Sequence, residues 1–145
     1  MRAKASFLRK LLPAVDVCLL QETHGSAEEA ERIFNVLRRD WVWHSNVGPS
    51  RNAGGTVILV RRRLITRDDD LVTESVVAGR VSRSRMAKDG KQCIIWNVHN
   101  YELPADARRE TNRRIEEDRL AAQRDPSNVS LWVGGDFNFP PPLSQ

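Results

Sequence analysis

Short apolar runs that end in polar residues constrain the fold of this chain more than any other feature. Each has the length of a strand, and β-branched residues are frequent, which is typical of strands buried in a sheet. Side chains at strand ends are held rigidly and still face solvent. If the strands are neighbours, their ends form one cluster of carboxylates, amides and an imidazole. Three runs end in this way: VCLLQE at Glu22, CIIWNVHN with Asn97, His99 and Asn100, and LWVGGDFN with Asp136 and Asn138.

The remaining elements are predicted from alternation, capping and turn signals. Ser26, with Glu29 three residues later, forms a capping-box pattern that predicts the start of a helix. Pro104 opens a long polar helix, which Asp125-Pro126 ends. Asp89-Gly90 is a hairpin signal between two antiparallel strands. The predicted strands are 15–21 (a central strand), 41–47, 56–64, 74–86, 91–100 and 130–135 (a buried strand).

This mixture of helices, hairpins and buried strands predicts a layered α/β or α+β domain. At 145 residues, the chain is long enough for one domain with an apolar core. No apolar run approaches the roughly 18 residues that span a bilayer, so no membrane association is expected. Residues 2–12 are predicted to form an amphipathic helix and not a signal peptide, which indicates an intracellular protein. Cys18 and Cys93 are predicted to be free thiols, and neither has the spacing of a structural zinc site.

The polar strand ends have the chemistry of a magnesium site. Carboxylate and amide oxygens suit Mg²⁺, which takes few protein ligands and keeps several waters. Such a site polarises a phosphodiester and stabilises the charge of its transition state. Each residue also has a structural interpretation when taken alone. Glu22 is then a solvated loop acid, Asp136 and Asn138 are turn-forming residues, and His99 is a half-buried, hydrogen-bonded histidine.

Taken as a set, these segments resemble the endonuclease/exonuclease/phosphatase superfamily, whose fold is that of pancreatic deoxyribonucleases. Four segments carry the resemblance in the expected order: VDVCLLQET (15–23), AGGTVILV (53–60), CIIWNVHN (93–100) and GGDFNF (134–139). The resemblance implies an α+β fold of the deoxyribonuclease-like type, a four-layer α/β sandwich with two sheets packed face to face. It also implies Mg²⁺-dependent phosphodiester hydrolysis, with Mn²⁺ as a possible substitute.

The resemblance assigns a role to each site residue. Glu22 corresponds to the main metal ligand, and Asp136 to the aspartate that orients or deprotonates the attacking water or assists the leaving group. Asn138 corresponds to the asparagine that binds the scissile phosphate, and Asn97 is grouped with it as a phosphate ligand. His99 would touch the phosphate or brace Glu22. Apurinic-site endonucleases carry a tyrosine at the position of His99, so an abasic-site substrate is not assigned.

Compared with the family pattern, the chain is expected to form a partial domain over residues 1–145. Residues 2–12 resemble the first helix, so the family's preceding strand is expected to be absent. Further strands and an aspartate–histidine pair normally follow the position of Asn138, and the chain has no histidine after His99. The C-terminal strands are therefore also expected to be missing, and catalysis is expected to be impaired.

Nucleic acid, with DNA favoured, is the expected partner. The net charge of +4 and the pI of about 9.6 favour an anionic partner. Non-LTR retrotransposon endonucleases are the nearest subgroup, because the loops are short and no lipid-binding insert is visible. Within an intracellular location, the nucleus is a candidate compartment. Two alternatives stay open: an inactive remnant that binds nucleic acid or a partner, and a phosphohydrolase of inositol phosphates or sphingomyelin. The candidate phosphate-contacting arginines are Arg51, Arg61, Arg62, Arg63, Arg80, Arg83 and Arg85.

Overall fold

Two β-sheets lie face to face, with one helix on the outer side of each, in a computed structural model that describes residues 8–50 and 53–137. The three-stranded sheet has the order β1-β3-β2, and the four-stranded sheet has the order β4-β5-β6-β7. All neighbours pair antiparallel except β6 and β7, which are parallel. The strands are β1 (Val17–Gln21), β2 (Trp41–Asn46), β3 (Thr56–Arg61), β4 (Leu71–Val77), β5 (Val81–Lys88), β6 (Lys91–His99) and β7 (Val129–Asp136).

Two α-helices, α1 (Ala27–Phe34) and α2 (Ala105–Arg124), form the outer layers. α1 packs on the three-stranded sheet through the fully buried Phe34, and α2 packs on the four-stranded sheet beside Trp96. Between the sheets, Ile58 and Val60 meet Met86 and Ile95 in a third apolar cluster. These layers confirm the four-layer α/β sandwich that the family resemblance implied. No helix in the described ranges is long and apolar enough to cross a membrane.

Local sequence signals predicted several boundaries correctly. Asp89 and Gly90 both have positive φ, as a tight hairpin turn requires, and they connect β5 to β6. Pro104 is the N-cap of α2, and Asp125 is its C-cap. Residues 8–11 are helical with Leu8 buried, and residues 1–7 lie outside the described part of the chain. Cys18 and Cys93 are free thiols, and burial raises the pKa of both.

Ser26 caps α1 as predicted, and its loss should cost measurable stability. Its Oγ accepts a hydrogen bond of 3.2 Å from the backbone N–H of Glu29. We expect Ser26→Ala to lower the free energy of unfolding by about 1 kcal/mol, because one helix N–H loses its partner. Urea denaturation measures this loss. Ser127→Ala, in an exposed turn, is the control and should stay within about 0.5 kcal/mol of the wild type; equal effects would contradict the capping role.

Three sequence predictions of strands are wrong. Residues 74–86 form parts of two strands, because Gly79 has φ +69° and turns the chain between β4 and β5. The 56–64 strand ends at Arg61, and Arg62–Leu64 is a 3₁₀ turn. The central strand of the first sheet is β3, and β1 lies at an edge of the described sheet.

The prediction that the last strand is buried is also wrong. β7 extends from Val129 to Asp136, pairs with β6 alone among the described strands, and forms an edge of the four-stranded sheet. Trp132 is 65% exposed as a result. Apolar composition predicted a strand here but carried no information about whether a second neighbour would cover it.

Candidate active site

The carboxyl ends of β1, β6 and β7 meet at one end of the sandwich. His99 and Asp136 are partners in the parallel register of β6 and β7, so both occur on the same face of that sheet. β1 packs directly against this face: a Cβ on Gly134 would lie 2.7 Å from Leu19 Cδ1. Glu22, just after β1, is thereby brought to His99, with 3.9 Å between Glu22 Oε1 and His99 Nε2. The structure thus gathers three of the predicted site residues from two sheets.

Glu22 stands on a tightly held backbone. It has φ +53°, a conformation that costs energy in residues other than glycine, and its side chain is 57% exposed. The following residues are fixed, because the N–H of Thr23 donates to Gly55 O and that of His24 to Gly54 O. Gly55 has φ +97°, and a Cβ there would lie 2.5 Å from Thr23 Oγ1. The carboxylate is therefore presented to solvent from a rigid support.

His99 is buried, with 4% of its side chain exposed, and both ring nitrogens face charged groups. Nδ1 lies 3.0 Å from Nη1 of Arg80, within hydrogen-bonding distance. Nε2 faces Glu22 at 3.9 Å, which is too long for a direct hydrogen bond. The imidazole also stacks on Tyr101, with ring centroids 5.9 Å apart and an interplanar angle of 15°.

Asp136 is exposed, and its backbone is anchored by Asn100. The N–H of Asn100 donates to Asp136 O at 2.8 Å, and its Nδ2 donates to Phe137 O at 2.9 Å. Gly135, with φ +130°, passes close to β6: a Cβ there would lie 2.0 Å from Val98 O. The chain is thus fixed on both sides of Asp136. Asn138 lies outside the described residues.

Asn97 lies beneath the site surface and is only 1% exposed. Its Oδ1 accepts a hydrogen bond of 2.7 Å from Gln21 Nε2, and its Nδ2 donates to Leu20 O and Val57 O, both at 3.2 Å. These contacts join β6 to β1 and β3 across the apolar interior. The contact of Asn97 with a phosphate stays a prediction, and this placement favours a supporting role beneath Glu22 and His99.

The arginine cluster Arg61–Arg63 lies at the other end of the sandwich, because β3 runs antiparallel to β1. Arg61 Nη2 donates to Leu12 O and Val15 O, and its guanidinium lies 4.4 Å from the ring centroid of Trp41. The structure does not bring this cluster together with Glu22, and its contact with nucleic acid stays a prediction. Arg51 lies outside the described residues.

The partners of the other two arginines in this cluster are acidic or backbone groups nearby. Arg62 donates to Arg38 O and pairs with Asp68, and Arg63 pairs with Asp16.

An apolar cavity of about 700 Å³ opens between the sheets at this same end, lined in part by Asp16, Met86 and Trp132. Its lining extends to Leu19 and Gly134 but does not include Glu22, His99 or Asp136.

Two residues acquire roles that the sequence did not indicate. Arg80 contacts His99 because the chain turns at Gly79. The single strand predicted over 74–86 would have put Arg80 in the middle of a strand instead. Asn100 anchors the backbone of Asp136, although its position after His99 marked it only as one polar residue of a cluster. The sequence signal that could have placed Arg80 near His99 was Gly79, if a turn had been predicted there.

The oxygen donors at this end suit a hard divalent cation in kind, but they are few. No group of three or more His, Cys, Asp or Glu side chains with metal-binding geometry occurs in the described ranges. Glu22 and Asp136 offer carboxylate oxygens, with waters to complete the shell of an ion such as Mg²⁺. The residues therefore fit a weakly held, extensively hydrated ion better than a closed protein cage.

Comparison with known proteins agrees with this architecture. TDP2 from Caenorhabditis elegans superposes with a TM-score of 0.62 at 16% identity, over 95% of this chain and 41% of that one. The truncated C. elegans TDP2 gives 0.64 at 16% identity, over 96% and 55%. D. rerio TDP2 complexed with a single-strand DNA product gives 0.54 at 15% identity, over 96% and 53%. The chain spans about half, or less, of the length of these structures, and at such identity they show a shared fold.

The sequence itself matches one protein family, which is consistent with the fold. No curated protein matches the chain significantly. The profile described as the Endonuclease/Exonuclease/phosphatase family matches residues 1–145, and this family generally uses a divalent metal. The chain therefore belongs to the endonuclease/exonuclease/phosphatase family.

Proposed function

We propose that this chain carries part of a divalent-metal-dependent phosphodiesterase site that hydrolyses nucleic acid. The observation that supports this most directly is the meeting of Glu22, His99 and Asp136 at one end of the sandwich. These residues come from three strands and two sheets, so their proximity is a product of the tertiary fold. Two exposed carboxylates and a buried imidazole in one cluster match the requirements of phosphodiester hydrolysis.

Each residue has a distinct part in the proposed reaction. Glu22 would hold Mg²⁺, or Mn²⁺ in its place, and a cation bound there would supply positive charge to stabilise the phosphoryl oxygens. Asp136 orients the attacking water and accepts its proton. His99 directs Nε2 towards the space beside Glu22, where a phosphate oxygen would bind. Asn138 hydrogen-bonds the scissile phosphate and stabilises its developing charge.

DNA is the substrate that we favour. The chain has a net charge of +4, and D. rerio TDP2, a structural relative, has been crystallised with a single-strand DNA product. Phosphate contacts by basic side chains dominate the affinity of most proteins for DNA. Membership of the retrotransposon subgroup stays a prediction that rests on short loops, and a nuclear location also stays a prediction.

Metal dependence gives the direct test of this proposal. The purified chain should nick supercoiled plasmid in Mg²⁺ and stop when a chelator is added. Glu22→Gln should raise the Mg²⁺ concentration for half-maximal nicking at least roughly tenfold, a typical loss when metal coordination is weakened. Glu31→Gln, which removes an exposed carboxylate from α1, should leave that concentration unchanged. Nicking that persists in chelator, or that is equally metal-dependent in both variants, would refute the assignment of Glu22.

A second candidate function is binding of nucleic acid without turnover. It is favoured by the low number of metal donors in the described ranges. Under this alternative, the chain binds DNA with a strong dependence on salt concentration but nicks it at no Mg²⁺ concentration. Inositol phosphates and sphingomyelin, included in the same assay panel, test the phosphohydrolase alternative that His99 suggests.

A further inference from the structure

Arg80 lies in the turn between β4 and β5 and contacts the ring nitrogen of His99 that does not face Glu22. Its backbone O accepts a hydrogen bond of 2.7 Å from the N–H of His99, and its Nη1 lies 3.0 Å from His99 Nδ1. The guanidinium also lies 5.6 Å from the ring centroid of Tyr101, which stacks on His99. Arg80 thus contacts both the backbone and the ring of His99.

The turn that carries Arg80 is held firmly on the other sheet by Asn46. Asn46 Nδ2 donates to Val77 O and Val81 O, each at 3.1 Å. Asn46 Oδ1 accepts from Ser75 Oγ at 2.8 Å and from the Gly79 N–H at 3.1 Å. All of its amide hydrogen-bonding groups are used, and the side chain is buried. The guanidinium of Arg80 therefore projects from a fixed backbone.

Because a guanidinium can only donate hydrogen bonds, Arg80 determines which nitrogen of the His99 ring carries the proton. Arginine has only N–H donors, so His99 Nδ1 must be the acceptor in this hydrogen bond. In the neutral ring, the proton then resides on Nε2, the nitrogen that faces Glu22. We propose that Arg80 is a positioning residue that selects the Nε2–H form of His99 and fixes the plane of its ring. This role deepens the proposed function and rests on it.

The position of this proton determines what His99 can do in the site. With its proton on Nε2, His99 presents a hydrogen-bond donor to the space beside Glu22. It is then suited to donate to a phosphate oxygen or to the Glu22 carboxylate, and not to remove a proton from water through Nε2. Arg80 acts through His99 in this account, in contrast to the phosphate contact predicted for it from the sequence.

The first test is nitrogen NMR of the three histidines, with His99 assigned by comparison with His24→Gln and His44→Gln. In the wild type, His99 Nδ1 should resonate as an unprotonated acceptor and Nε2 as a protonated nitrogen. In Arg80→Met, both signals should move towards averaged positions or broaden, whereas Arg80→Lys, which keeps a donor, should lie closer to the wild type. A protonated Nδ1 in the wild type, or identical spectra in a folded Arg80→Met, would overturn the proposal.

Kinetics separates this proposal from the proposed function. Arg80→Met should lower kcat for plasmid nicking by roughly tenfold with little change in KM, less than the loss of a positioned proton donor itself. In a His99→Gln background, the same substitution should have almost no further effect. A rise in KM alone, or full additivity, would contradict the positioning role and support direct substrate contact. If the NMR result holds but no variant nicks DNA, the proposed function fails and the positioning of His99 stands.

Discussion

Replacing Asp136 with asparagine is expected to lower the rate of plasmid nicking by at least about 100-fold without unfolding the protein. The amide cannot accept the proton of the attacking water, and asparagine is nearly the same size as aspartate. The backbone of Asp136 is fixed by Asn100 and by the close passage of Gly135, so the strand end has support that does not involve the Asp136 side chain. Initial nicking rates at saturating Mg²⁺ measure the effect.

The control for this substitution is Asp69→Asn, which makes the same chemical change at an exposed residue distant in sequence. It should keep the wild-type rate. Urea denaturation should place both variants within about 1 kcal/mol of the wild type, as is usual for exposed positions. If Asp136→Asn keeps more than half of the wild-type activity, Asp136 does not have the role that we propose.

Replacing Asp118 with alanine is expected to lower the free energy of unfolding by about 3 kcal/mol, the scale of removing one partner of a buried ion pair. Asp118 lies on α2 and is 8% exposed. Both of its oxygens accept hydrogen bonds of 2.8 Å from Arg83 on β5, and Oδ2 also accepts one of 2.7 Å from Trp96 Nε1 on β6. Its loss leaves the Arg83 charge and the Trp96 N–H without this partner. Urea denaturation measures the change.

Glu117→Gln is a matched control, because Glu117 is an exposed carboxylate on the same helix that pairs with Arg113. Its loss should cost no more than about 0.5 kcal/mol, the usual value of an exposed pair on a helix. Arg83→Met combined with Asp118→Leu should recover part of the lost stability, because no unpaired charge is then buried. Equal losses for Asp118→Ala and Glu117→Gln would show that the contact between α2 and the sheet is only peripheral.

The same ion pair should make stability depend on pH in the acidic range. Burial alone would raise the pKa of Asp118, but hydrogen bonds from Arg83 and Trp96 outweigh it, so the pKa is lowered. The folded protein therefore binds this proton less readily than the unfolded chain does. The contribution to stability is complete above the unfolded pKa and is lost as the pH falls through the folded pKa. Asp118→Ala should show a correspondingly weaker loss of stability on acidification.

Sequence reasoning succeeded where a local conformation determined the structure. Asp89-Gly90, Ser26 and Pro104 each impose a particular backbone geometry on their neighbours, and the structure has the predicted turn and helix starts at these positions. It failed at Gly79, because alternating residues continued on both sides of the turn and concealed it. An apolar run also does not specify its neighbours, so β1 and β7 were expected in interior positions although both lie at edges of the described sheets.

Which residues form the candidate site could be predicted, but how deeply each is buried and which groups it contacts could not. Glu22, His99 and Asp136 were expected together because each follows an apolar strand, and the structure brings them to one end. Asn97 has the same kind of position in the sequence but points into the interior, where three hydrogen bonds hold it. The sequence shows Arg61–Arg63 as a run of positive charge. It could not show which groups these arginines contact, because those contacts depend on how other segments pack.

Asn46 on β2 joins the two sheets, because its side chain holds the turn between β4 and β5. Glu22 is supplied by one sheet, and His99 and Asp136 by the other, so the geometry of the site depends on the alignment of the sheets. Asn46 contributes four hydrogen bonds to that alignment, in addition to those of Asn97, although Asn46 belongs to none of the strands that carry these residues. A variant at position 46 would therefore lose activity and stability together. In a genetic screen it would be scored as a site mutation, although the hydrogen bonds of Asn46 go to β4, β5 and the turn between them.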